Sequence, residues 1–222
     1  MNAPAPKPFF ILEESCMELH VYLAFIAATS VMIALPGPSV ILTVAHSISF
    51  GWKHAEATVA GETMGIAVQL VIAAIGLTSL LNCVAEAFEW LRWGGAIYLV
   101  YLGIRQWRGA GDPPRLEAAS VSRKNLFLQG LVVTIPNPKS LIFIAAFLPQ
   151  FVDAAKPLGV QFAVIVPTFL AITFTVTSIW AFAAGNVRGF FLNRRAFQSV
   201  LRSAGALMIA AGVGLALTRR VN

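Results

Sequence analysis

Two short runs hold the residues with the most chemical potential, Pro36-Gly37-Pro38-Ser39 and Pro136-Asn137-Pro138-Lys139-Ser140. Each is a Pro-x-Pro triplet set inside a long apolar stretch. Proline lacks a backbone N–H and cannot complete a helical ladder. A helix that restarts after such a break presents unpaired N–H groups and a partial positive charge. Ser39 and Ser140 are placed to cap or flank the two new starts. Two starts facing each other in mid-membrane would bind an anionic group such as a carboxylate. Lys139 is the one basic residue deep inside any apolar stretch, where a charge costs about 3 kcal/mol on insertion scales and must pair or face water. Its ammonium would reinforce a carboxylate site, and Asn137 supplies both donors and acceptors. Glu62 is the one carboxylate deep in an apolar stretch, with Gly65 and Gln69 three and seven positions on, so one helical face is small and polar. Burial disfavours a charged carboxylate and a neighbouring ammonium favours it. Glu62 with Lys139, and Gln69 beside them, is therefore a candidate proton-coupling element. A Glu62 that reaches water at the membrane interface is the equally weighted alternative. His46 and His54, in the short link after the first apolar stretch, read as solvated loop residues.

These residues need a membrane scaffold, and the composition supplies one. The chain has 222 residues, 58% hydrophobic and 12% charged, about half the charge of an ordinary soluble domain. The formal net charge of +6 does not mark a nucleic-acid partner, because the basic residues show no stripe with interleaved aromatics. Six apolar segments run over 20–47, 55–81, 90–107, 125–151, 157–184 and 199–218, each near the roughly 20 residues that cross a bilayer. The polar stretch 108–124 divides them into two sets of three. The breaks fall in the first segment of each set, and matched breaks in two halves are the best sequence pointer to a transporter binding site. The expected fold is an all-α membrane protein: six transmembrane helices arranged as two inverted three-helix repeats, with helices one and four broken. Residues 1–16 read as a disordered leader, 17–107 as the first repeat, 108–124 as a cytoplasmic linker and 125–222 as the second repeat, with Met17 an alternative natural start.

Lys and Arg number ten in the odd-numbered loops against five on the other side, which places the odd loops in the cytoplasm and both termini outside. Trp52, Trp90, Trp93 and Trp107 sit at segment ends, where indole rings anchor at the headgroups. Glycines inside the segments, Gly61 and Gly65 above all, point to close helix packing. Cys16 and Cys83 lack metal-ligand spacing; a disulfide between them is chemically open, two free thiols being the simpler reading.

The run "ALPGPSVILTVAHSISFGWKHAEATVAGETMGIAV" resembles the opening of the LysE/RhtB-type amino-acid exporters, the LysE family of translocators. "FLQGLVVTIPNPKSLIFIAAFLPQFV" and "GGAIYLVYLGIRQWR" are similar to that family's fourth and third segments, and the likeness extends over residues 17–218. The resemblance implies six spans and export of amino acids or their derivatives, energised by protons, across a bacterial inner membrane. Pro36, Gly37, Pro38, Asn137, Pro138 and Lys139 take the family's motif positions, and Ser39 adjoins them as a substrate-binding candidate. The expected partners are a small amino-acid-like substrate, protons and the bilayer, with a homo-oligomer left open and no cofactor called for. A metal-ion or other small-solute exporter is the alternative, but such a site needs several carboxylate, His or Cys ligands and the segments offer essentially Glu62. An enzyme is not indicated, since Ser39 and Ser140 have no histidine partner within a span.

Overall fold

Proline sets the helix boundaries that matter most. In the computed structural model, which describes residues 17–80, 85–109, 121–153, 155–187, 189 and 193–217, helix α1 (Leu19–Ala34) stops at Leu35. Leu35 is extended, as the clash with the ring of Pro36 requires. Helix α2 (Pro38–Phe50) restarts with Pro38 in its first turn, where the missing N–H costs nothing. It ends at Gly51, whose φ of 83° suits glycine, and helix α3 (Trp52–Leu80) follows at once. Helix α4 (Ala85–Arg108) comes next, then α5 (Arg123–Thr134), which Ser122 caps through its side chain. The second break, Ile135-Pro136-Asn137, leads into α6 (Pro138–Phe147) and a 3₁₀ turn, Leu148–Phe151. Helices α7 (Leu158–Asn186) and α8 (Arg194–Leu217) complete the described chain, which is helical throughout with no strand among the described residues. The leader 1–16, the linker core 110–120, Cys16 and Cys83 lie outside the described residues.

The chain turns by 58° between α1 and α2 and by 54° between α5 and α6. Helices α3, α7 and α8 are each long and apolar enough to cross a membrane, and each bent pair passes the same measure when taken as one span, giving three to five candidate crossings among the described residues. Helix α4, which includes Arg92, Arg105 and Arg108, is not among them. Large apolar side chains face outward and polar groups of the apolar segments turn inward beside an apolar core: Ile75, Ile97, Val132 and Ile179 are exposed, whereas Thr43, Glu62, Asn137, Lys139 and Thr173 are buried with Phe25, Leu70 and Phe169. That is how a helical protein in lipid places its polar groups.

Two glycine-lined seams fix the packing. A Cβ on Gly61 would collide with the Phe127 carbonyl, one on Gly65 would lie 2.7 Å from Thr134 Cβ, and one on Gly130 would meet the Thr58 carbonyl. From Gly61 against Phe127, through Gly65 against Thr134, to Gln69 bonded to Ile135, the contacts advance along both helices, so α3 and α5 run parallel. On the other seam Gly205 meets the backbone of Gly103 and Trp107, and Gly212 that of Ala96 and Val100. There α4 and α8 run antiparallel. Close packing accounts for Gly61, Gly65, Gly103, Gly205 and Gly212, but Gly94 and Gly214 face open space.

Candidate functional site

The two breaks lie against each other. Asn137 Nδ2 donates to Ser39 Oγ at 2.9 Å, and Ser39 Oγ is 3.1 Å from Thr134 Oγ1. Lys139 Nζ donates to the Leu35 carbonyl on the far side of the first break. Residue numbers rise along one break as they fall along the other, so the two broken helices cross in opposite directions. Gly37 makes this approach feasible: a Cβ there would lie 2.9 Å from Lys139 Cδ.

Each carbonyl freed by a break needs a donor, because an unpaired one in a membrane interior costs several kcal/mol. Lys139 serves Leu35, and Gln106 Nε2 serves Pro36 at 2.6 Å while lying 3.4 Å from the Leu201 carbonyl. Gln69 Nε2 serves both Thr134, at 2.7 Å, and Ile135, at 3.0 Å. Gln69 thus acts on the backbone of the second break and is absent from the cavity wall, whereas Glu62, one face with it on α3, does line the cavity. The helix starts differ. At α6 the Asn137 side chain is the cap, accepting from Lys139 N at 3.1 Å. At α2 the cap position is Gly37, which offers no side chain. The serines expected as caps sit inside the first turns instead: Ser140 Oγ donates back to the Asn137 carbonyl at 3.2 Å and Ser39 bonds across the interface. Proline at the first helical position moves the capping duty one residue upstream, to Asn137 and Gly37.

A cavity of about 30 Å³ lies between the breaks, room for about one water molecule. Gly37, Ser39, Asn137, Lys139 and Ser140 line it with Glu62, Thr134, Thr173 and Thr177. Pro36, Pro38 and Pro138 shape the backbone without entering the wall. Lys139 is 6% exposed and Glu62 1%, so the Glu62 carboxylate is buried among the helices. Its Oε1 accepts from Thr43 Oγ1 at 2.7 Å, while Oε2 is buried with no partner. Such an orphan in a low-dielectric site is a costly arrangement that calls for an explanation. Lys139 and Glu62 share the cavity, but the ammonium donates to Leu35 and not to the carboxylate.

His46 corrects the sequence reading. It lies within α2 and is 1% exposed, with Nδ1 2.7 Å from Thr58 Oγ1 and Nε2 3.1 Å from Gln129 Oε1. The helix runs on past the expected loop to Gly51, so His46 faces α3 and α5. His54, in the first turn of α3, is exposed. Sequence reasoning missed Thr43, Gln106, Thr173 and Thr177. The pair Thr173 and Thr177, four residues apart, puts two hydroxyls on one face of α7; Gln106, beside Arg105 and Trp107, carries the signal of an interface. Among the described residues no group of three or more His, Cys, Asp or Glu side chains converges as a metal site.

Broken apolar helices with their polar groups gathered inside define a multi-pass membrane protein of the transporter class. The sequence profile of the family described as LysE type translocator matches residues 30–219, and the chain belongs to that family; it is a translocator and not an enzyme. Homoserine/homoserine lactone efflux proteins of Salmonella typhi and Salmonella typhimurium are each 32% identical to it over 205 residues, 91% of this chain and 99% of theirs. A membrane protein of Vibrio cholerae is 28% identical over 207 residues, 91% of this chain and all of its own. No solved structure gives a significant match.

Proposed function

We propose that the chain exports amino acids or small derivatives of them across the bacterial inner membrane in exchange for protons. The substrate carboxylate takes the space between the two breaks, where the uncapped start of α2 and the Lys139 ammonium both favour an anion. Asn137 and Ser39 bond its remaining polar groups, while Pro36, Gly37, Pro38 and Pro138 hold the backbone open. Glu62 carries the coupling proton on the oxygen that has no protein partner, and Gln69 keeps the neighbouring break paired. The observation that carries this reading is the meeting of the two breaks around one buried cavity holding both a lysine and a carboxylate. The efflux proteins of the two Salmonella species lend the substrate class.

Six crossings in two inverted repeats are part of the same reading, and the helix directions support it. Parallel α3 and α5 require one return crossing between them, and α4 is the helix that can make it. The antiparallel breaks and the antiparallel α4 and α8 fit the same inverted arrangement. With the basic residues concentrated in the odd loops, both termini lie outside. Purified protein in vesicles loaded with radiolabelled homoserine, alanine or leucine tests the function. Efflux faster than in empty vesicles, and accelerated by an opposing proton gradient, is the expected result. Efflux of none, or a rate indifferent to the gradient, would refute export or coupling respectively.

A further inference from the structure

Lys139 also lines a second space. A chamber of about 380 Å³, open on one side where Val31 is exposed, lies among α1, α4, α6 and α8 and is lined by Leu35, Leu99, Phe143 and Met208. Met32 and Lys139 belong to its wall and to that of the small polar cavity, so the two spaces adjoin. Apart from Lys139, every lining residue of the chamber is apolar. Binding pockets for small molecules typically hold about 300–1,000 Å³ and are apolar with a few placed polar groups. The chamber meets that description, and the polar cavity, with room for about one water, does not.

We infer that the chamber receives the apolar part of the cargo, which is therefore an amino-acid derivative with a bulky apolar side chain or acyl group. The inference rests on the proposed reading of Lys139 as the contact of the substrate carboxylate. An amphiphilic acid satisfies both ends of the space, with its anion on the buried ammonium and its tail against Leu99, Phe143 and Met208. A membrane lipid inserting an acyl chain would bring a methyl terminus to that ammonium and leave its headgroup outside, so the charge speaks for the acid. At about a dozen water-sized volumes, the chamber suits a leucine- to phenylalanine-sized group or a medium acyl chain, and homoserine would leave most of it empty.

Vesicles containing the full chain and loaded with radiolabelled homoserine, leucine or phenylalanine test this. The wild-type chain is expected to export phenylalanine more efficiently than homoserine by at least about tenfold, since one methylene in an apolar pocket is worth about 10- to 200-fold. Leu99→Trp and Met208→Trp, which fill the chamber, should lower the phenylalanine-to-homoserine ratio at least about tenfold. Met208→Ala, which enlarges it without risk of overpacking, should shift preference from leucine further toward phenylalanine. Ratios that stay fixed in all three variants would overturn the inference, as would loss of a co-purified phospholipid from the filled variants at an unchanged ratio. Lys139→Ala separates the two levels. If it lowers export of every cargo while the filled variants keep their ratio, the chamber falls and the carboxylate site stands. If it spares every cargo, or if the wild type exports none, the carboxylate site falls and takes the chamber with it.

Discussion

At the scale of the residue, Lys139 does two tasks that compete. Its ammonium pairs the Leu35 carbonyl and faces the cavity in which an anion would sit. A bound carboxylate would therefore draw on the bond that ties the two breaks together, linking occupancy to the geometry of the breaks. Lys139→Ala should weaken substrate binding by about 2–5 kcal/mol, or roughly 30- to 5,000-fold, the usual cost of removing a desolvated charge contact; equilibrium binding in detergent measures it. Lys139→Arg should recover only part of this, because a planar fork does not fit where a compact ammonium does. Glu62 has one bonded and one orphaned oxygen. Glu62→Gln keeps the bond from Thr43 and removes the titratable proton, so efflux should lose its dependence on the pH gradient while the protein stays abundant in the membrane. A full gradient response in the mutant would assign the coupling proton elsewhere.

Elements meet at glycine. Gly37 leaves room for the Lys139 chain, and Gly130 lets α5 touch the backbone of α3 beside Thr58 and Glu62. Gly37→Leu would push Lys139 off the Leu35 carbonyl; the expected outcome is a protein that inserts at normal abundance but has lost binding and efflux. Gly130→Val would force apart two helices already in backbone contact. Overpacking of this kind costs about 1–3 kcal/mol, seen as a lowered Tm in detergent, and it should shift Glu62 as well. The glutamines show a second use of an element. Gln69 on α3 and Gln106 on α4 each reach across to carbonyls of a break on another helix, so each break has its freed carbonyls paired by a neighbour.

At the scale of the whole molecule, the glycine seams join the halves: α3 packs on α5, and α4 on α8. Each seam takes one helix from each set of three. Alternating access by rocking one half as a rigid body would have to open both seams. Motion that keeps both seams closed and moves the broken helix α1–α2, which belongs to neither, against the rest disturbs fewer close backbone contacts. The direction of the chain across the membrane has its own test. A single cysteine at Asn125, on the side of the basic odd loops, should stay shielded from impermeant thiol reagents in intact cells, while one at Ala155, exposed beyond the 3₁₀ turn, should react. The opposite labelling pattern would reverse the orientation.

How much of this was legible in the sequence follows from where the information lies. Apolar run length and proline chemistry are local, so the helices and both breaks could be read directly: the segment expected over 157–184 is helix Leu158–Asn186, and the one over 55–81 is Trp52–Leu80. The family is legible for the same reason, since its motifs are short contiguous strings around those breaks. Glu62, Asn137 and Lys139 stood out because polar groups are rare in lipid-spanning runs and costly unless turned inward. Contacts between distant helices leave no such local trace. Only the tertiary structure decided that Lys139 caps Leu35, that Gln69 and Gln106 serve carbonyls about 65 to 70 residues away in the chain, and that His46 is buried between α3 and α5 and not solvated in a loop. The same is true of the apolar chamber, whose wall comes from four helices. A helix period shows which residues share a face, but which faces meet depends on the glycine seams, and those are set by backbone approach between segments far apart in sequence.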